Sequence, residues 1–479
     1  MSIARFQKSL LRPVGIACLA ALAVFLYRLP HWVMGTFGPI SIEQFLYHIQ
    51  ANSEGVPFEL IKSALREMLL KPMLAFGVAY YGFKYLTSRI PRGVLYTAYP
   101  IIALYGVIGT AQIYHMTNFE EYLDETSTLK LPQNFDWATS LYVAPRAMPA
   151  KQPPNLIWVF VESLEEKRVS PARLPRLRPA NISSPADQFN NLPGTTWTIG
   201  AMVSMQCGVP LLPYGMHARN GFSDAPTFLP HARCLGDILK EQGYTSMFIG
   251  GADTAFAGKG TFLATHGFDT VLGKHELAPR VGKSAPDEWW GYSDDIVLGV
   301  SLEEIKRLAA GQQPFFFSLL TLDTHGPRGH LSEHCASKGY TDALDDIYAC
   351  SLEQLENFVA RLRDEGILEN TVLVISGDHP FMEPKKTSLN PFEYDNGRLN
   401  RKVFISITRP DGKAFQVRQM NHFDMFPTVL SALGMKVENE AAGLGRNLYA
   451  RTSLSEQYTA HDFQKILRTE SGGYQALWQ

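Results

Sequence analysis

Long apolar stretches are concentrated near the start of the 479-residue chain. The clearest is the uncharged segment 93–114, which is long enough to cross a hydrocarbon core as a helix, with a buried core helix as the alternative. An earlier stretch spans only if Arg12 and Arg28 extend toward the interfaces, and a middle one has Lys71 and Lys84 near its ends. We therefore predict a membrane anchor over 1–115, with about three helices near 10–29, 68–86 and 93–114.

Two spans, or a cleaved signal peptide in place of the first, are the alternatives, but no small-x-small cleavage site follows the first stretch. Positive charge sets the expected orientation. Basic residues precede the first stretch and fill the turn before the third, which places both on the cytoplasmic side: Arg5, Lys8, Arg12, Lys84, Arg89 and Arg92. The long carboxy-terminal region is then extracytoplasmic. Residues 39–68 have helix-like apolar spacing, and we expect them to lie along the membrane surface.

Beyond the anchor, a polar, proline-containing segment at 116–153 is typical of a linker. From residue 154 short strand-like runs such as "NLIWVFV" alternate with helix-like stretches such as "CLGDILKEQGY". Such alternation predicts an α/β domain with a central, largely parallel sheet. We assign this domain to 154–450 and treat the polar segment 451–479 as a peripheral tail.

Polar side chains follow three of the predicted strands. Glu162 follows "NLIWVFV", Asp378 and His379 follow "NTVLVISG", and the strand "PFFFSLLTL" leads to Asp323 and His325. Ligands of parallel sheets bind at the carboxyl ends of strands, where these residues are expected to meet. Singly, each is as well explained by a surface acid or a satisfied core histidine. Together, carboxylates and imidazoles form a suitable cage for a divalent metal.

The stretch "NNLPGTTWTIGAMVSMQC" places threonines before a helix-like run. Thr198 immediately precedes that run, whereas Thr195 and Thr196 lie in the turn. Helix capping is one explanation, because threonine is a favoured N-cap. A nucleophile is the other, because backbone N–H groups and the helix dipole at a helix start favour anionic oxygen.

Charge and cysteine content narrow the function classes. The 44 basic and 46 acidic residues give a net charge of −2, and no basic run indicates a nucleic-acid partner. Four of the five cysteines follow residue 200, an even number that permits two disulfides in an extracytoplasmic domain. Three pairings are possible, and short loops favour Cys207–Cys234 and Cys335–Cys350.

Motifs over roughly 154–430 resemble the sulfatase/alkaline-phosphatase superfamily, in its membrane-anchored branch of lipoteichoic acid synthases, phosphoethanolamine transferases and glucan phosphoglycerol transferases. The motifs are "PNLIWVFVESLE", "PGTTWTIGAMVSMQCGVPL", "CLGDILKEQGY", "FIGGADTAFAGKGTFLATHGFD", "THGP" and "ISGDH". The resemblance implies one divalent metal, with Mn expected ahead of Zn or Mg. It assigns the metal to Glu162, Thr198, Asp378 and His379.

The same resemblance implies that Thr198 is the nucleophile and that His325 is a catalytic, substrate-side histidine. It places Asp253 and Lys259 where the family binds the head group. The implied reaction moves a phosphoglycerol group from phosphatidylglycerol, through a phosphothreonine, to a periplasmic or surface glycan. The implied location is the bacterial inner membrane, with several spans and a periplasmic catalytic domain.

Departures from the family pattern favour a glycerol-phosphate donor. In phosphoethanolamine transferases the strand is followed by "DHGES" and, some residues later, by another histidine. The sequence here is "GDHPFMEPKKTSLNPFEYDNG", which has neither feature. A phosphoethanolamine transferase acting on a glycan or lipid A is the alternative. True sulfatases are disfavoured because no Cys/Ser-x-Pro-x-Arg motif occurs. A non-catalytic scaffold is the remaining hypothesis, although all four metal positions are intact.

Overall fold

The computed structural model of the chain describes residues 3–38, 40–50, 55–86, 97–117, 129–178, 186–213, 227–286, 289–382, 394–395, 398–399 and 401–479. The chain divides into two compact units. We call them the helical unit, which holds the described residues up to 117 except 41–50 and 55–56, and the α/β unit, which holds the rest.

The described α-helices, in chain order, are α1 (Ile3–Thr36), α2 (Ile42–Gln50), α3 (Phe58–Leu65), α4 (Lys71–Leu86), α5 (Ala98–Met116), α6 (Trp137–Ser140), α7 (Leu174–Leu177), α8 (Thr198–Cys207), α9 (Leu235–Glu241), α10 (Lys259–Thr265), α11 (Lys274–Val281), α12 (Asp294–Ala309), α13 (Glu333–Ser337), α14 (Leu344–Asp364), α15 (Met425–Ala432), α16 (Ala460–Arg468) and α17 (Gly472–Ala476).

The described strands are β1 (Ala147–Met148), β2 (Asn155–Val161), β3 (Ala186–Asn190), β4 (Thr245–Gly250), β5 (Thr270–Leu272), β6 (Phe315–Leu320), β7 (Thr371–Gly377), β8 (Tyr394–Asp395), β9 (Arg398–Leu399), β10 (Ile405–Thr408), β11 (Val417–Asn421), β12 (Lys436–Val437), β13 (Ala441–Ala442) and β14 (Gly445–Arg446).

In the helical unit, α1 packs against α4 and α5. One described helical stretch, Pro13–Thr36, is long and apolar enough to cross a membrane. Helices also occupy the other two predicted positions, with 16 residues in α4 and 19 in α5, while 93–96 lie outside the described residues. Three spans therefore stay a prediction. Arg28, expected to extend to an interface, instead places its Nε 2.7 Å from a carboxylate oxygen of the buried Glu67.

The α/β unit is built on a six-stranded sheet with the order β10-β7-β2-β6-β4-β5, in which β10 is antiparallel and the other strands are parallel. This confirms the predicted α/β class with a largely parallel sheet. Strand β2 is central and buried on both faces because its side chains alternate between two apolar clusters. Leu156, Trp158 and Phe160 enter one cluster, and Ile157, Val159 and Val161 enter the other.

The segment 41–50, expected along a membrane surface, belongs to the α/β unit, and its membrane contact stays a prediction. In helix α2 the Tyr47 side chain is fully buried and donates a hydrogen bond of 2.6 Å to the Ala257 carbonyl. Arg468 lies 2.8 Å from the carboxylate of the buried Glu43. The buried side chains of α2 are Glu43, Gln44 and Tyr47, whereas Ile49 stays exposed.

Residues assigned from sequence to the linker and the tail also contribute to the α/β unit. Trp137, Phe463 and Ile466 are buried in a third apolar cluster. The Asp136 carboxylate accepts a hydrogen bond of 2.9 Å from the Gly473 N–H, which joins the two segments. Part of the predicted linker, 118–128, lies outside the described residues. The division into anchor, linker, catalytic domain and tail stays a prediction.

The α/β unit contains two disulfides, Cys207–Cys234 and Cys335–Cys350, which is the pairing that short loops favour. The first joins the end of α8 to the start of α9, and the second joins α13 to α14. Cys18 is free and exposed.

We expect removal of the Cys335–Cys350 bond to lower the free energy of unfolding. The bond closes a loop of 15 residues. Without it the unfolded chain gains conformational entropy, which stabilises the unfolded state by about 3 kcal/mol. Guanidinium unfolding of the full chain in detergent, followed by tryptophan fluorescence, measures the effect in the double variant C335S/C350S. C18S is the matched control, and equal unfolding free energies for the two proteins would contradict the expectation.

Candidate metal centre and active site

Glu162, Asp378 and His379 meet because their strands are neighbours in register. Val161 of β2 pairs with Gly377 of β7, so the residues that follow the two strands emerge side by side. The Asp378 Oδ1 accepts hydrogen bonds from the Ser163 N–H at 2.7 Å and from its neighbour, the His379 N–H, at 2.8 Å. All three predicted ligands are buried, and their nearest ligand atoms lie within 4.8 Å of one another.

Thr198 is the first residue of α8 and faces this group. Its Oγ1 lies 3.3 Å from Oε2 of Glu162 and 3.5 Å from Nε2 of His379. Trp197 before it is extended and buried, which ends the Pro-Gly turn and starts the helix. Thr195 points elsewhere, since its Oγ1 donates to the Leu192 carbonyl at 2.9 Å.

The donor set fits a divalent cation. Asp378 Oδ2 is buried without a hydrogen-bond partner among the described residues, which is costly for a carboxylate unless an ion satisfies it. His379 Nδ1 lies 2.9 Å from the Pro380 carbonyl and donates to it in the neutral ring, which leaves the Nε2 lone pair for the site. Carboxylate, imidazole and hydroxyl groups together accept Mn, Zn or Mg.

A second group of potential ligands, Cys234, Asp237 and His266, is not suited to a metal. Cys234 is held in a disulfide, and both ring nitrogens of His266 already have partners, Asp237 at 2.8 Å and the Phe228 carbonyl at 2.7 Å. These contacts fasten the start of α9 and do not leave a ligand free.

The pKa values of Glu162, Asp378 and His379 show that this group is short of positive charge. Burial raises the pKa of Glu162, but His325 and His379 outweigh it and lower that pKa to about 2. Burial and then the Glu162 charge raise the pKa of Asp378 to about 7. Burial lowers the pKa of His379, but Asp378 and Glu162 outweigh it and raise it to about 9. Protons therefore supply the positive charge that a cation would bring.

Several supporting residues were not identified from the sequence. Thr321 and Thr324 fix the Glu162 backbone, through hydrogen bonds to its N–H at 3.0 Å and to its carbonyl at 2.5 Å. The buried His422 places Nε2 2.8 Å from the Asp378 carbonyl. The threonines follow β6, as Asp323 does, so the strand-end pattern could have indicated them. His422 had no such signal.

Of the two residues expected after β6, only His325 faces the site. It is half-buried, its Nδ1 lies 2.8 Å from the Gly326 carbonyl, and burial lowers its pKa despite the nearby Glu162. Asp323 is directed away, because its Oδ2 accepts a hydrogen bond of 3.2 Å from the Asp294 N–H. Asp323 therefore supports the start of α12 and not the metal group.

The two predicted head-group residues differ in their surroundings. Lys259, the first residue of α10, is buried, and burial lowers its pKa to about 8 despite Glu162, Asp253 and Asp378. Because Glu162 and Asp378 act on its charge, Lys259 lies on the side of the metal group. Asp253 is largely engaged, because Oδ1 accepts from the Ala255 N–H at 2.9 Å and Oδ2 lies 3.0 Å from His275.

Comparison with known proteins shows the family to which the chain belongs. The family model described as Sulfatase matches residues 154–435, more than half of the chain, and the chain therefore belongs to the sulfatase family. The matched region contains every residue of the candidate metal group.

Alignments with curated relatives cover more of the chain than the family model does. Phosphoglycerol transferase I of Xanthomonas euvesicatoria pv. vesicatoria is 38% identical over 337 residues, which cover 66% of this chain and 46% of that protein. Phosphoglycerol transferase I of Xanthomonas campestris pv. campestris (strain B100) is 32% identical over 428 residues, covering 85% and 57%. The chain spans about half the length of these relatives. The lipoteichoic acid synthase LtaP from Listeria monocytogenes is a structural neighbour, with a TM-score of 0.46, 18% identity, and coverage of 67% of this chain and 79% of that one.

We expect metal affinity to rise with pH between pH 6 and 9. The metal-free group holds a proton on His379 below about pH 9 and on Asp378 below about pH 7, and a cation must displace both. Each displaced proton weakens the apparent affinity by up to about tenfold for every pH unit below its pKa. Calorimetric titration with Mn²⁺ in buffers of different ionisation enthalpy measures both affinity and proton release. A pH-independent affinity would contradict the assignment, and Cys18→Ser is the control variant.

Proposed function

We propose that this protein is a metal-dependent phosphoglycerol transferase. It would move the phosphoglycerol head group of phosphatidylglycerol to a glycan outside the membrane, through a phosphothreonine at Thr198. The observation that carries this proposal is the position of the Thr198 hydroxyl, at the start of α8 and within 3.5 Å of both Glu162 and His379. The names of the curated relatives support the choice of a glycerol-phosphate donor.

The first half-reaction forms a bond from Thr198 Oγ1 to the lipid phosphorus and breaks the bond from phosphorus to the diacylglycerol oxygen. Glu162 Oε2, 3.3 Å from Thr198 Oγ1, would receive the Thr198 proton, and a protonated His325 would give its proton to the departing oxygen. A divalent cation held by Glu162, Asp378 and His379, which we propose to be Mn, lowers the pKa of a nearby hydroxyl and offsets phosphoryl charge.

In the second half-reaction an acceptor hydroxyl gives its proton to His325 and attacks phosphorus, the bond to Thr198 breaks, and the proton held by Glu162 returns to the Thr198 oxygen. His325 is in the basic form needed here because it gave up its proton in the first step, and its lowered pKa favours that form. Lys259 supplies positive charge beside the phosphoryl oxygens in both steps. Its buried ammonium makes no hydrogen bond or ion pair within the described part of the chain and is therefore available for an anion.

The proposed location follows from the lipid donor. We propose that the apolar helices anchor the chain in the bacterial inner membrane with several spans, and that the α/β unit lies in the periplasm. The Pro13–Thr36 helix and the two disulfides support this, because disulfides persist in oxidising compartments. Confinement at the membrane raises the effective concentration of a lipid substrate.

Intact-mass measurement tests the nucleophile and the donor together. The full chain with Mn²⁺, mixed with phosphatidylglycerol vesicles, is expected to gain a glycerol-phosphate mass on the peptide that contains Thr198. Thr198→Ala should abolish this adduct and lower diacylglycerol release at least about a thousandfold, because it removes the attacking oxygen.

Thr196→Ala is the matched control, because it removes a hydroxyl two residues away that has no hydrogen-bond partner among the described residues, and it should keep the adduct. Diacylglycerol release at the wild-type rate by Thr198→Ala would overturn the nucleophile assignment. An adduct formed from phosphatidylethanolamine, with none from phosphatidylglycerol, would replace the proposed donor by an ethanolamine one.

A further inference from the structure

Helix α2 forms one side of the region around His325. Tyr47 is locked in place by its hydrogen bond to the Ala257 carbonyl and by a ring contact with Trp197, at 5.6 Å between centroids. Trp197 and Ala257 lie one and two residues before Thr198 and Lys259. The anchoring of Tyr47 therefore fixes where the next residue, His48, is presented.

The His48 side chain is exposed and begins a row of rings that ends at His325. Its ring lies nearly parallel to that of Phe256, with centroids 6.0 Å apart. The ring centroids of Phe256 and Trp290 are 4.9 Å apart, and those of Trp290 and His325 are 5.0 Å apart. Phe256 and Trp290 are half-buried, so each keeps part of its ring open to solvent.

A second pair of rings extends the row on the other side of His325. Trp289 stacks on His330 with centroids 4.7 Å apart and an angle of 14° between the ring planes. Trp289 also lies 6.4 Å from His325, in an edge-on arrangement. Both rings are half-buried.

The tryptophan pair is held by backbone contacts that follow it. Gly291 forms an antiparallel bridge with Ala252, and a Cβ added to Gly291 would lie 1.9 Å from the Gly251 carbonyl oxygen. The close approach fixes the Trp289–Trp290 segment to the turn after β4, the same turn that carries Asp253. The backbone that carries the Trp289 and Trp290 rings is therefore fixed in position.

The chemistry of the row differs from that of the phosphate side. The row has no lysine, arginine or carboxylate among its members. Burial lowers the pKa of His330, which favours the neutral ring. Flat apolar faces with neutral hydrogen-bonding edges suit a ligand that is uncharged, polar at its rim and apolar on its faces. A sugar ring has these properties, whereas a phosphate group would be drawn to Lys259.

We propose that His48, Phe256, Trp289, Trp290, His325 and His330 form the subsite that binds the sugar rings of the acceptor. The inference rests on the proposed function, and it assigns to helix α2 a direct part in acceptor recognition through His48. A sugar stacked on Trp290 lies beside His325, the group that takes the proton from the acceptor hydroxyl.

The test separates the two half-reactions. Donor cleavage is followed as diacylglycerol release from phosphatidylglycerol vesicles, and transfer is followed as glycerol phosphate on a linear glucose oligosaccharide. Trp290→Ala should lower the ratio of transfer to donor cleavage about tenfold, because the sugar loses the ring on which it stacks. His48→Ala should raise the KM for the oligosaccharide, and Trp290→Phe should restore most transfer because it keeps an aromatic face.

Tyr340→Ala is the matched control, because it removes a half-buried aromatic ring bonded to Glu353, outside the row. Thermal unfolding shows whether each variant is folded. An equal fall of donor cleavage and transfer in folded Trp290→Ala would overturn the subsite. If the wild type cleaves no phosphatidylglycerol, the proposed function fails. In that case oligosaccharide quenching of tryptophan fluorescence, present in the wild type and lost in Trp290→Ala, would still support the subsite, and its absence from the wild type would overturn it.

Discussion

Two carboxylates placed side by side in a buried position are the constraint on which this structure depends. The register of β2 with β7 brings Glu162 and Asp378 together, away from solvent, where like charges repel most strongly. The His379 imidazole lies 3.4 Å from Glu162 and 3.5 Å from Asp378, and His325 and Lys259 also act on these carboxylates. Hydrogen bonds with Ser163, Thr321 and Thr324 hold Glu162 and Asp378 in this unfavourable arrangement, which a divalent cation would relieve.

The sheet serves the site by fixing positions from both faces. Side chains of β2 alternate between two apolar clusters, so the strand cannot slide by one residue without moving apolar groups to the wrong face. Any such slip would also separate Glu162 from Asp378. The packing of Trp158 and Phe160 therefore contributes to the geometry at the strand end, although neither residue touches the site.

The sequence was sufficient for the residues that follow strands, because parallel strands end at one edge and the polar positions there are few. That rule brought out Glu162, Asp378 and His379, and the family motifs added Thr198. It was insufficient where contacts join distant segments. Asp323 follows the same strand as His325 but turns to Asp294, and His422 reaches Asp378 from the helical turn that follows β11. Amphipathic spacing in α2 did not indicate that Glu43, Gln44 and Tyr47 are its buried side chains.

The hydrogen bond from Tyr47 to Ala257 joins residues 210 positions apart. During synthesis, Tyr47 is made long before Ala257, so this contact cannot form until residue 257 has been added. Closing so long a loop costs chain entropy. A fragment that starts after residue 56 would lack the Tyr47 ring and leave Trp197 without that contact.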